Sequence, residues 1–353
     1  MKAAVYRRFG GPDVVHVEHI ADLEPKSDEL LIRVHASTVS AADYRSRSRD
    51  IPAGLALPSS LVLGFFRPRR PVLGMEAAGI VEKTGDDVHG FARGDEVAVM
   101  LGSRFGGHAE YALVKATDAV VHKPRGLEFD EAASLIFGGL TAQAYLNQAT
   151  VQAGTSILVN GASGAVGSAF VQIASAVGAH VTAVCSEPNH ALVTDLGAQR
   201  TIDYRSHDFT ADGTAYDVIV DCVGNAPVSR VARSVRPGGA VLLVAANLRS
   251  LIHAKRDARR HGITVVTGPG PYRAADLQHV MYLAEVGDIR PVIDRSYRLD
   301  DIAQAHRYVD TGRKRGSVVI DIAEARNTAS ATAATGRLTA PTHPATSSER
   351  HTS

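Results

Sequence analysis

The sequence has few cysteines and no excess of charge of either sign. Its only two cysteines are Cys185 and Cys222, and both follow apolar runs typical of buried strands. Two thiols exclude a disulfide framework and a zinc lobe built from four cysteines. Lys and Arg total 38 against 37 Asp and Glu, so no overall field favours nucleic acid or an anionic membrane.

Long apolar runs and a secretory leader are also lacking. Residues 1–6 enter strand-like sequence at once, and no apolar run approaches the length of a membrane span. These absences predict a cytoplasmic protein that acts on a small molecule, with no nucleic-acid or membrane partner. The length of 353 residues leaves room for about two domains, each with its own core.

The most informative stretch spans residues 155–198. A short apolar run at 156–160 predicts a buried strand, and a glycine turn follows it at 161–167. Apolar residues at helical spacing come next, and residues 180–184 predict a second strand. In this unit a helix N-terminus faces a pyrophosphate. The stretch therefore predicts a dinucleotide site, and the alternative is a structural turn that binds nothing.

Each glycine of the turn has its own task. Gly161 lets the chain leave the strand tightly, Gly164 lets the backbone approach a phosphate, and Gly167 lets the helix pack closely on the sheet. The match is imperfect, because Ala162 stands where the G-x-G-x-x-G pattern has its first glycine. The position of the turn between a predicted strand and an amphipathic helix makes the match specific.

Residues 1–124 predict a mainly β domain that forms a small barrel, because short β-rich runs alternate with Gly, Pro and Asp turns. Residues 51–70 interrupt these runs with an apolar segment whose aromatics, Phe65 and Phe66, are predicted to be exposed. The segment ends in Arg67, Arg69 and Arg70, which are predicted as a solvated rim, with a phosphate clamp as the alternative. The segment favours a lid or substrate-facing loop, and the alternative is a loop packed on the core or on a partner subunit. The runs are 2–6, 14–19, 29–36, 79–83, 96–100, 109–115 and 120–123.

From residue 128 the pattern changes to helix. A break is predicted at Gly138 and Gly139, with Thr141 as the cap of the helix that follows. Such a cap places first-turn amides at an anion site, or it is an ordinary cap without a ligand. Strands and helices then alternate as far as residues 263–267, which predicts a parallel, doubly wound sheet. Residues 263–267 are predicted as the edge strand of this sheet, which either forms a dimer or stays unpaired.

Three further segments complete the chain. The basic stretch at 248–261 predicts a solvated helix face, with RNA contact as the alternative. Short strands are predicted at 294–299 and 316–322, and they could join the first domain. Beyond residue 324 the Ala, Thr, Ser and Pro content predicts a disordered tail. The predicted domains are 1–124 completed by about 290–322, then 125–289, and finally the tail at 324–353.

Several separated stretches form an ordered set of motifs. They are residues 72–79, 94–97, 107–111, 131–133 with 139–141, 161–167, 196–198 with 202–204, 221–224, 237–239 and 312–320. Together they resemble the medium-chain dehydrogenase/reductase superfamily, in its zinc-free quinone oxidoreductase-like branch. The resemblance implies an α/β protein with a GroES-like β-barrel catalytic domain, a Rossmann nucleotide-binding domain and a cleft at their junction.

The resemblance also bears on zinc. Zinc-dependent members carry a Cys where this chain has Ser40, a His-Glu pair where it has Met75 and Glu76, and a third ligand near residues 135–136. A hydroxyl and a thioether are poor zinc ligands beside a thiolate and an imidazole. We therefore expect no metal. Hydride transfer from NADPH to a quinone or an α,β-unsaturated carbonyl needs no Lewis acid, and it is the predicted reaction.

Two alternative functions stay open. One is a zinc-free alcohol or enoyl reductase of specialised metabolism. The other is a non-catalytic NADP(H)-binding protein, for which the basic stretch is the only support in the sequence.

By the resemblance, Ser40, Asp43 and Tyr44 lie on the loop that faces the nicotinamide, where relatives often carry Asn at the Ser40 position. The hydroxyls of Ser40 and Tyr44 are candidates to stabilise a developing enolate or quinol oxygen. Asp43 is either part of this site or a carboxylate that caps the loop. His108 is predicted as a surface-turn histidine, and Glu76 as a structural residue.

The cofactor prediction depends on the end of the second strand. NAD enzymes of this fold carry an acid there to hold the ribose diol, whereas this chain has Cys185 followed by Ser186, with Glu187 one residue further on and no Arg or Lys at 186–190. Ser186 is a donor for a 2′-phosphate or, alternatively, a helix cap. Tyr204 matches a residue beside the adenosine phosphate in NADPH-using relatives, so NADPH is predicted over NADH. The predicted cofactor residues are Thr141, Gly161, Ala162, Ser163, Gly164, Ala165, Val166, Gly167, Ser186, Tyr204, Val223, Gly224, Val244 and Ala245.

Overall fold

The computed structural model of the chain describes residues 1–51 and 54–322. The tail predicted at 324–353 lies outside the described residues. The strands are β1 (Lys2–Tyr6), β2 (Val15–His19), β3 (Glu29–Thr38), β4 (Glu76–Thr84), β5 (Glu96–Met100), β6 (Tyr111–Lys115), β7 (Val120–His122), β8 (Ser156–Asn160), β9 (His180–Cys185), β10 (Arg200–Asp203), β11 (Tyr216–Asp221), β12 (Val235–Leu243), β13 (Thr264–Val266), β14 (Ile293–Arg298) and β15 (Ser317–Asp321). The helices are α1 (Ala41–Ser48), α2 (Ala56–Leu63), α3 (Phe129–Leu146), α4 (Ala165–Ala176), α5 (His190–Asp195), α6 (Val228–Val231), α7 (Leu248–His261), α8 (Ala274–Glu285) and α9 (Ile302–Asp310).

A six-stranded parallel sheet forms the centre of the second half of the chain. Its strand order is β10-β9-β8-β11-β12-β13, which is the 3-2-1-4-5-6 order of a doubly wound dinucleotide fold. Ile157, Leu158 and Val159 of β8 are all fully buried. A central parallel strand is covered by helices on both faces, so it carries a continuous apolar run. The predicted Rossmann sheet is confirmed.

Five strands from the first half of the chain form a seven-stranded mixed sheet with β14 and β15, in which β14 and β15 pair in parallel and the other pairs are antiparallel. Its path is β14-β15-β3-β4-β5-β7, and β6 also pairs with β3. The C-terminal strand β15 joins this sheet by pairing Val319 with Thr38 of β3. The predicted GroES-like β domain is confirmed. The pairing of β15 with β3 supports the predicted completion of this domain by about 290–322.

Helix α3 corrects one prediction. It runs through Gly138 and Gly139 without a break, so Thr141 lies inside the helix and caps nothing. A Cβ at Gly138 would lie 2.4 Å from the carbonyl oxygen of Ala165, and one at Gly139 would lie 2.6 Å from Cγ1 of Val280. The two glycines therefore let α4 and α8 pack closely on α3. A pair of glycines in a helix costs about 2 kcal/mol of helix propensity, which close packing offsets.

Residues 51–70 also differ from the prediction, because their middle part is the helix α2 rather than an irregular loop. Phe66 is 93% exposed and Phe65 is 43% exposed, in agreement with the exposed aromatics expected there. Arg67, Arg69 and Arg70 are exposed as well, as predicted for a solvated rim.

The basic stretch forms the amphipathic helix α7. It begins where the side chain of Asn247 accepts a hydrogen bond from Ser250 N at 2.8 Å, and it ends at Gly262, whose φ of 64° is left-handed. Ala254 and Ala258 are buried, while the basic side chains face solvent. The following strand, β13, lies at one end of the sheet order, as expected of an edge.

Candidate active site

Five predicted cofactor residues lie at one edge of the parallel sheet. Gly161, Ser186, Tyr204, Val223 and Ala245 each stand within two residues of the carboxyl end of a strand. The carboxyl ends of parallel strands lie at the same edge. Strands β8 and β11 are neighbours although β9 and β10 separate them in sequence, so the strand order reverses there. Such a switch point is where open α/β sheets bind ligands.

The glycine loop joins β8 to α4. Gly161 has a φ of 83°, which favours glycine. A Cβ at Gly167 would lie 2.1 Å from the carbonyl oxygen of Gly161, so the helix and the turn interlock. A Cβ at Gly164 would meet only Gly161 O, at 3.6 Å. Gly164 is also the N-cap of α4 and gives it no side-chain cap, so the first-turn amides around Ala165 and Val166 suit an anion.

The glycine loop also contacts the segment that leads into β15. Gly316 N donates to the carbonyl oxygen of Ser163 at 2.8 Å, and the ammonium group of Lys314 donates to Gly316 O at 2.6 Å. Burial lowers the pKa of Lys314 to about 8, while Glu76 and Asp294 act in the opposite direction. A cation is thus held beside the loop.

Asp221, at the end of β11, organises the neighbouring turn. Its Oδ1 accepts from the backbone N–H groups of Val223 and Gly224, each at 3.0 Å, and from Asn160 Nδ2 at 2.9 Å. Its Oδ2 accepts from Ala226 N at 2.8 Å. The carboxylate is 1% exposed, and its four hydrogen bonds hold the predicted cofactor residues Val223 and Gly224 in place.

The backbone carbonyl of Asp221 holds the next predicted pair. Val244 N and Ala245 N donate to it at 3.0 and 3.1 Å. The turn after β11 and the turn after β12 therefore share one residue as their anchor.

Asn189 connects two predicted cofactor residues. Its Nδ2 lies 3.1 Å from Ser163 Oγ and 3.2 Å from Ser186 Oγ. Among the described residues its Oδ1 is buried and has no hydrogen-bond partner. Ser186 gives the short 3-10 helix at Glu187–Asn189 no side-chain cap, so the capping alternative is not what the structure shows. The end of β9 therefore offers a hydroxyl and an open acceptor, with no carboxylate at Cys185.

Tyr204 follows the adjacent strand β10, where Asp203 pairs with Cys185 of β9. Its ring is 57% exposed. The guanidinium carbon of Arg205 lies 5.8 Å from the ring centroid, which is cation–π distance. The carboxyl end of β10 is thus followed by an aromatic ring and a positive charge.

Two hydroxyl groups meet where α3 passes the parallel sheet. Thr141 Oγ1 lies 3.1 Å from the phenolic oxygen of Tyr272, and Thr141 is 4% exposed. Burial raises the pKa of Tyr272, the hydrogen bond with Thr141 lowers it, and Glu76 raises it. Tyr272 therefore stays protonated at neutral pH and can donate a hydrogen bond.

Ser40 and Asp43 form a closed pair at the start of α1. The hydroxyl of Ser40 donates to Asp43 Oδ2 at 2.5 Å, and Gly74 N donates to Oδ1 at 2.8 Å. Asp43 N donates to Ser40 Oγ at 3.2 Å and Ser40 N donates to Asp43 Oδ2 at 2.8 Å, and these two bonds form a capping box. This geometry corresponds to the capping alternative for Asp43. The hydroxyl of Tyr44 donates to Asp50 at 2.6 Å and is directed away from this pair.

Glu76 is a fully buried carboxyl at the start of β4. Thr38 donates a hydrogen bond to its Oε1, and Oε2 has no hydrogen-bond partner among the described residues. Burial raises the pKa of Glu76 well above the ordinary value, and Asp43 raises it further, while Thr38 and Lys314 act in the opposite direction. The protonated form is therefore favoured.

Because folding raises the pKa of Glu76, the wild-type protein should lose stability relative to Glu76→Gln as pH rises. Below the unfolded-state pKa the carboxyl is protonated in both states and costs nothing. Above the unfolded-state pKa, the folded protein keeps a proton on Glu76 that the unfolded chain has released. This lowers the free energy of unfolding by up to about 1.4 kcal/mol per unit of pKa difference. Urea unfolding at about pH 5, 6.5 and 8 measures this. Parallel pH profiles for the two proteins would contradict it. The control is Glu110→Gln. The carboxylate of wild-type Glu110 accepts a hydrogen bond from Lys2 N.

His108 corrects another prediction, because it is fully buried rather than exposed at a turn. Its Nε2 lies 2.9 Å from the carbonyl oxygen of Thr38, and its ring packs edge-on against His306 with centroids 5.8 Å apart. Burial lowers the pKa of His306 well below its ordinary value, and His108 and Arg47 lower it further. Both histidines are fully buried, and His306 is neutral at neutral pH.

Within residues 1–51 and 54–322, no three side chains of His, Cys, Asp or Glu come together in a way that could hold a metal ion. In the same ranges, no helix combines the length and the apolar character that crossing a membrane requires.

Two family models match the two halves of this architecture. The model described as the alcohol dehydrogenase GroES-like domain matches residues 26–125, and the one described as zinc-binding dehydrogenase matches residues 196–320. Quinone oxidoreductase of Homo sapiens is 31% identical over 329 residues, covering 88% of this chain and 94% of that protein. The chain belongs to the medium-chain dehydrogenase/reductase superfamily. Within it, the chain falls in the quinone oxidoreductase-like branch.

Two further comparisons agree with this placement in the superfamily. The 2-methylene-furan-3-one reductase of Solanum lycopersicum is 31% identical over 341 residues, covering 91% of this chain and 79% of that protein. The solved structure of the quinone oxidoreductase from Coxiella burnetii superposes with a TM-score of 0.81 at 27% identity, covering 92% of this chain and 99% of the other. The predicted family and fold are confirmed.

As a member of the medium-chain dehydrogenase/reductase superfamily, the protein is an NAD(P)H-dependent oxidoreductase with a nicotinamide cofactor. The residues at the sheet edge fit a dinucleotide. The space in front of Gly164 and the uncapped start of α4 suit a diphosphate, and the unpartnered Oδ1 of Asn189 can accept from a hydroxyl group.

Sequence reasoning missed Asn189, Arg205, Tyr272 and Lys314. Tyr272 reaches Thr141, and Lys314 reaches the glycine loop, through contacts between distant segments, since Tyr272 and Thr141 are 131 residues apart. Arg205 had a local signal, because it directly follows Tyr204. No short-range pattern distinguishes Asn189 from an ordinary helix-start residue.

Proposed function

We propose that the enzyme transfers a hydride from NADPH to a quinone or an α,β-unsaturated carbonyl without zinc. The observation that carries the proposal is the donor set at the position of the zinc site in zinc-dependent relatives. The Ser40 hydroxyl is bound to Asp43, and a thioether stands at Met75. Such a set is a poor match for zinc. Relatives named quinone oxidoreductase and 2-methylene-furan-3-one reductase support the acceptor class.

In this proposal, groups of the chain bind and orient the cofactor and polarise the acceptor. The glycine loop and the first turn of α4 would hold the diphosphate of the cofactor, and Asp221 fixes the turn whose Val223 and Gly224 would contact it. NADPH supplies the hydride when bound. The hydroxyl of Tyr272, oriented by Thr141, donates a hydrogen bond to the acceptor oxygen and stabilises the negative charge that develops there.

The predicted catalytic residues have supporting roles in this proposal. Ser40 and Asp43 anchor the start of α1 to Gly74, on the segment that leads to Glu76. The Tyr44 hydroxyl, held by Asp50, is available to substrate only if that hydrogen bond opens. Thr141 with Tyr272 is therefore the proposed hydroxyl pair at the reacting oxygen.

A preference for NADPH is proposed from the ends of β9 and β10. No carboxylate at Cys185 or Ser186 repels a 2′-phosphate, and the Ser186 hydroxyl is available as a donor. Arg205, beside the exposed ring of Tyr204, supplies the positive charge that residues 186–190 lack. A ring stacked by a guanidinium beside a hydroxyl is suited to an adenosine phosphate.

Replacing Arg205 by glutamine should raise the KM for NADPH about tenfold and leave the KM for NADH unchanged. The lost interaction is a charge-assisted hydrogen bond with a group that only NADPH carries, worth about 1.5 kcal/mol. Initial rates with each cofactor at saturating acceptor measure the change. Arg200→Gln, in the same strand region but paired with Asp212, is the matched control. Equal effects of Arg205→Gln on both cofactors would contradict the assignment.

The reaction is tested by NADPH oxidation with purified protein against a panel of quinones, enones and simple ketones. Turnover with quinones or enones, undiminished by a chelator and without bound zinc in metal analysis, is the expected result. Turnover of ketones alone, or the oxidation of alcohols, would favour the alcohol-reductase alternative. Cofactor binding without turnover would favour a non-catalytic protein. A cytoplasmic location and a homodimer through the edge strand β13 belong to the same proposal, and the dimer is tested by sedimentation velocity.

A further inference from the structure

A group of apolar side chains is exposed on helix α2 and the turn that follows it. Phe66 is 93% exposed, and Leu57, Leu61 and Val62 are 68%, 56% and 56% exposed. With Phe65, these five residues are called the α2 patch. Isolated exposed apolar residues are ordinary, but five within ten consecutive residues form a contiguous surface that marks an interaction site.

The α2 patch is held in place by hydrogen bonds. Arg49 donates to the carbonyl oxygen of Phe65 at 2.6 Å and also to the hydroxyl of Ser60. Gly64 N donates to Ser60 O at 2.9 Å, and Arg69 N donates to Leu63 O at 2.9 Å. These bonds fix the turn with its apolar side chains outward. The exposed apolar side chains therefore belong to a helix and a turn that hydrogen bonds hold in place.

Positive charge surrounds the α2 patch. Residues 51–75 contain three arginines, Arg67, Arg69 and Arg70, and no Asp or Glu. Phe66 and Arg67 also line a groove of about 630 Å³ whose other walls include Arg7 and Arg8. The one acid in that groove, Glu18, is paired with Arg7 at 2.6 Å. The chain as a whole is almost neutral, so this basic surface is a local concentration of charge.

We propose that the α2 patch docks on an anionic lipid bilayer. The apolar side chains enter the boundary between headgroups and acyl chains, and the arginines contact the lipid phosphates, as in other interfacial amphipathic segments. A second copy of the chain is a poorer occupant, because a symmetric contact through this patch would bring the arginines of the two copies together. The proposal concerns docking on the surface and does not depend on the proposed reaction.

The test is co-flotation of the full-length protein with vesicles. Neutral phosphatidylcholine vesicles are compared with vesicles that contain about 30 mol% phosphatidylglycerol, at low and at physiological salt. The wild-type protein should bind only the anionic vesicles, and less at higher salt. Leu61→Ser with Phe66→Ser should lower the partition coefficient about a hundredfold. Arg67→Gln with Arg69→Gln should lower it about thirtyfold.

Two controls distinguish binding through the α2 patch from non-specific adsorption to vesicles. Tyr282→Ser removes an apolar side chain that is 53% exposed on α8, and Arg313→Gln removes an exposed charge elsewhere. Both should bind vesicles like the wild type. Far-UV circular dichroism and unchanged thermal midpoints establish that every variant is folded.

Three results would overturn the proposal. The first is the absence of binding to anionic vesicles, or binding that the α2 variants leave unchanged. The second is a dimer in sedimentation velocity that Phe66→Ser dissociates, which would assign the patch to a second copy. The third is displacement from vesicles by inorganic phosphate beyond that by chloride of equal ionic strength, which would assign the arginines to a soluble phosphate.

Discussion

Replacing Gly167 by alanine is expected to destabilise the protein by about 3 kcal/mol and to abolish dinucleotide binding. The new Cβ would lie 2.1 Å from Gly161 O and 2.8 Å from the Cα of Ala162. Both are backbone atoms, so α4 must move away from the turn at the end of β8, and the cost is that of an overpacked core. Urea unfolding and the fluorescence of bound NADPH measure the two effects.

Gly164→Ala is the matched control for this prediction. Its Cβ would meet only Gly161 O at 3.6 Å, an ordinary contact. The loss of glycine at the N-cap, about 0.5 kcal/mol, is offset by the reduced freedom of the unfolded chain. Its stability should therefore stay within about 1 kcal/mol of the wild type, while affinity for NADPH falls more than about tenfold because the methyl group occupies the phosphate space. Normal NADPH affinity in this variant would place the diphosphate elsewhere.

Asp221→Ala is expected to cost about 4 kcal/mol and to weaken cofactor binding by about a hundredfold. The substitution leaves the buried N–H group of Ala226 and the partly buried N–H groups of Val223 and Gly224 without their acceptor, and a fully buried unsatisfied donor costs about 1–3 kcal/mol. The turn that follows β11 would then rearrange to find water. Asp221→Asn, which retains one carbonyl oxygen, should lose about half as much.

Asp203 provides the control for Asp221. It also ends a parallel strand, but its Oδ1 accepts from a single backbone amide, that of Arg205, at 3.0 Å. Asp203→Ala should cost no more than about 1 kcal/mol. Equal losses of stability at the two positions would show that the hydrogen bonds around Asp221 do not hold the turn.

The strands of the parallel sheet were predictable because each is a local apolar run. Ser156–Asn160 and His180–Cys185 lie within one or two residues of their predicted limits. A strand buried on both faces needs no knowledge of its neighbours to be recognised. The glycine turn between them has the same local character, because a tight turn and a helix start depend on a few consecutive residues.

The interpretation of Gly138, Gly139 and His108 failed for the opposite reason. Two glycines in sequence indicate a helix end, but here they admit Ala165 and Val280 from other helices. A histidine between glycine and alanine looks exposed, but His108 is fully buried against Thr38 and His306. Packing partners far away in sequence decide such positions.

The motifs of the sequence indicated the family, and its local patterns indicated the parallel strands and the glycine turn, because turn chemistry and apolar periodicity act over a few residues. Only the tertiary structure decided which side chains share the cleft. Thr141 and Tyr272 are 131 residues apart, and the buried Arg47 meets Asp310 across 263 residues. Those distances are closed by the burial of sheets and helices against one another, which no short stretch of sequence encodes.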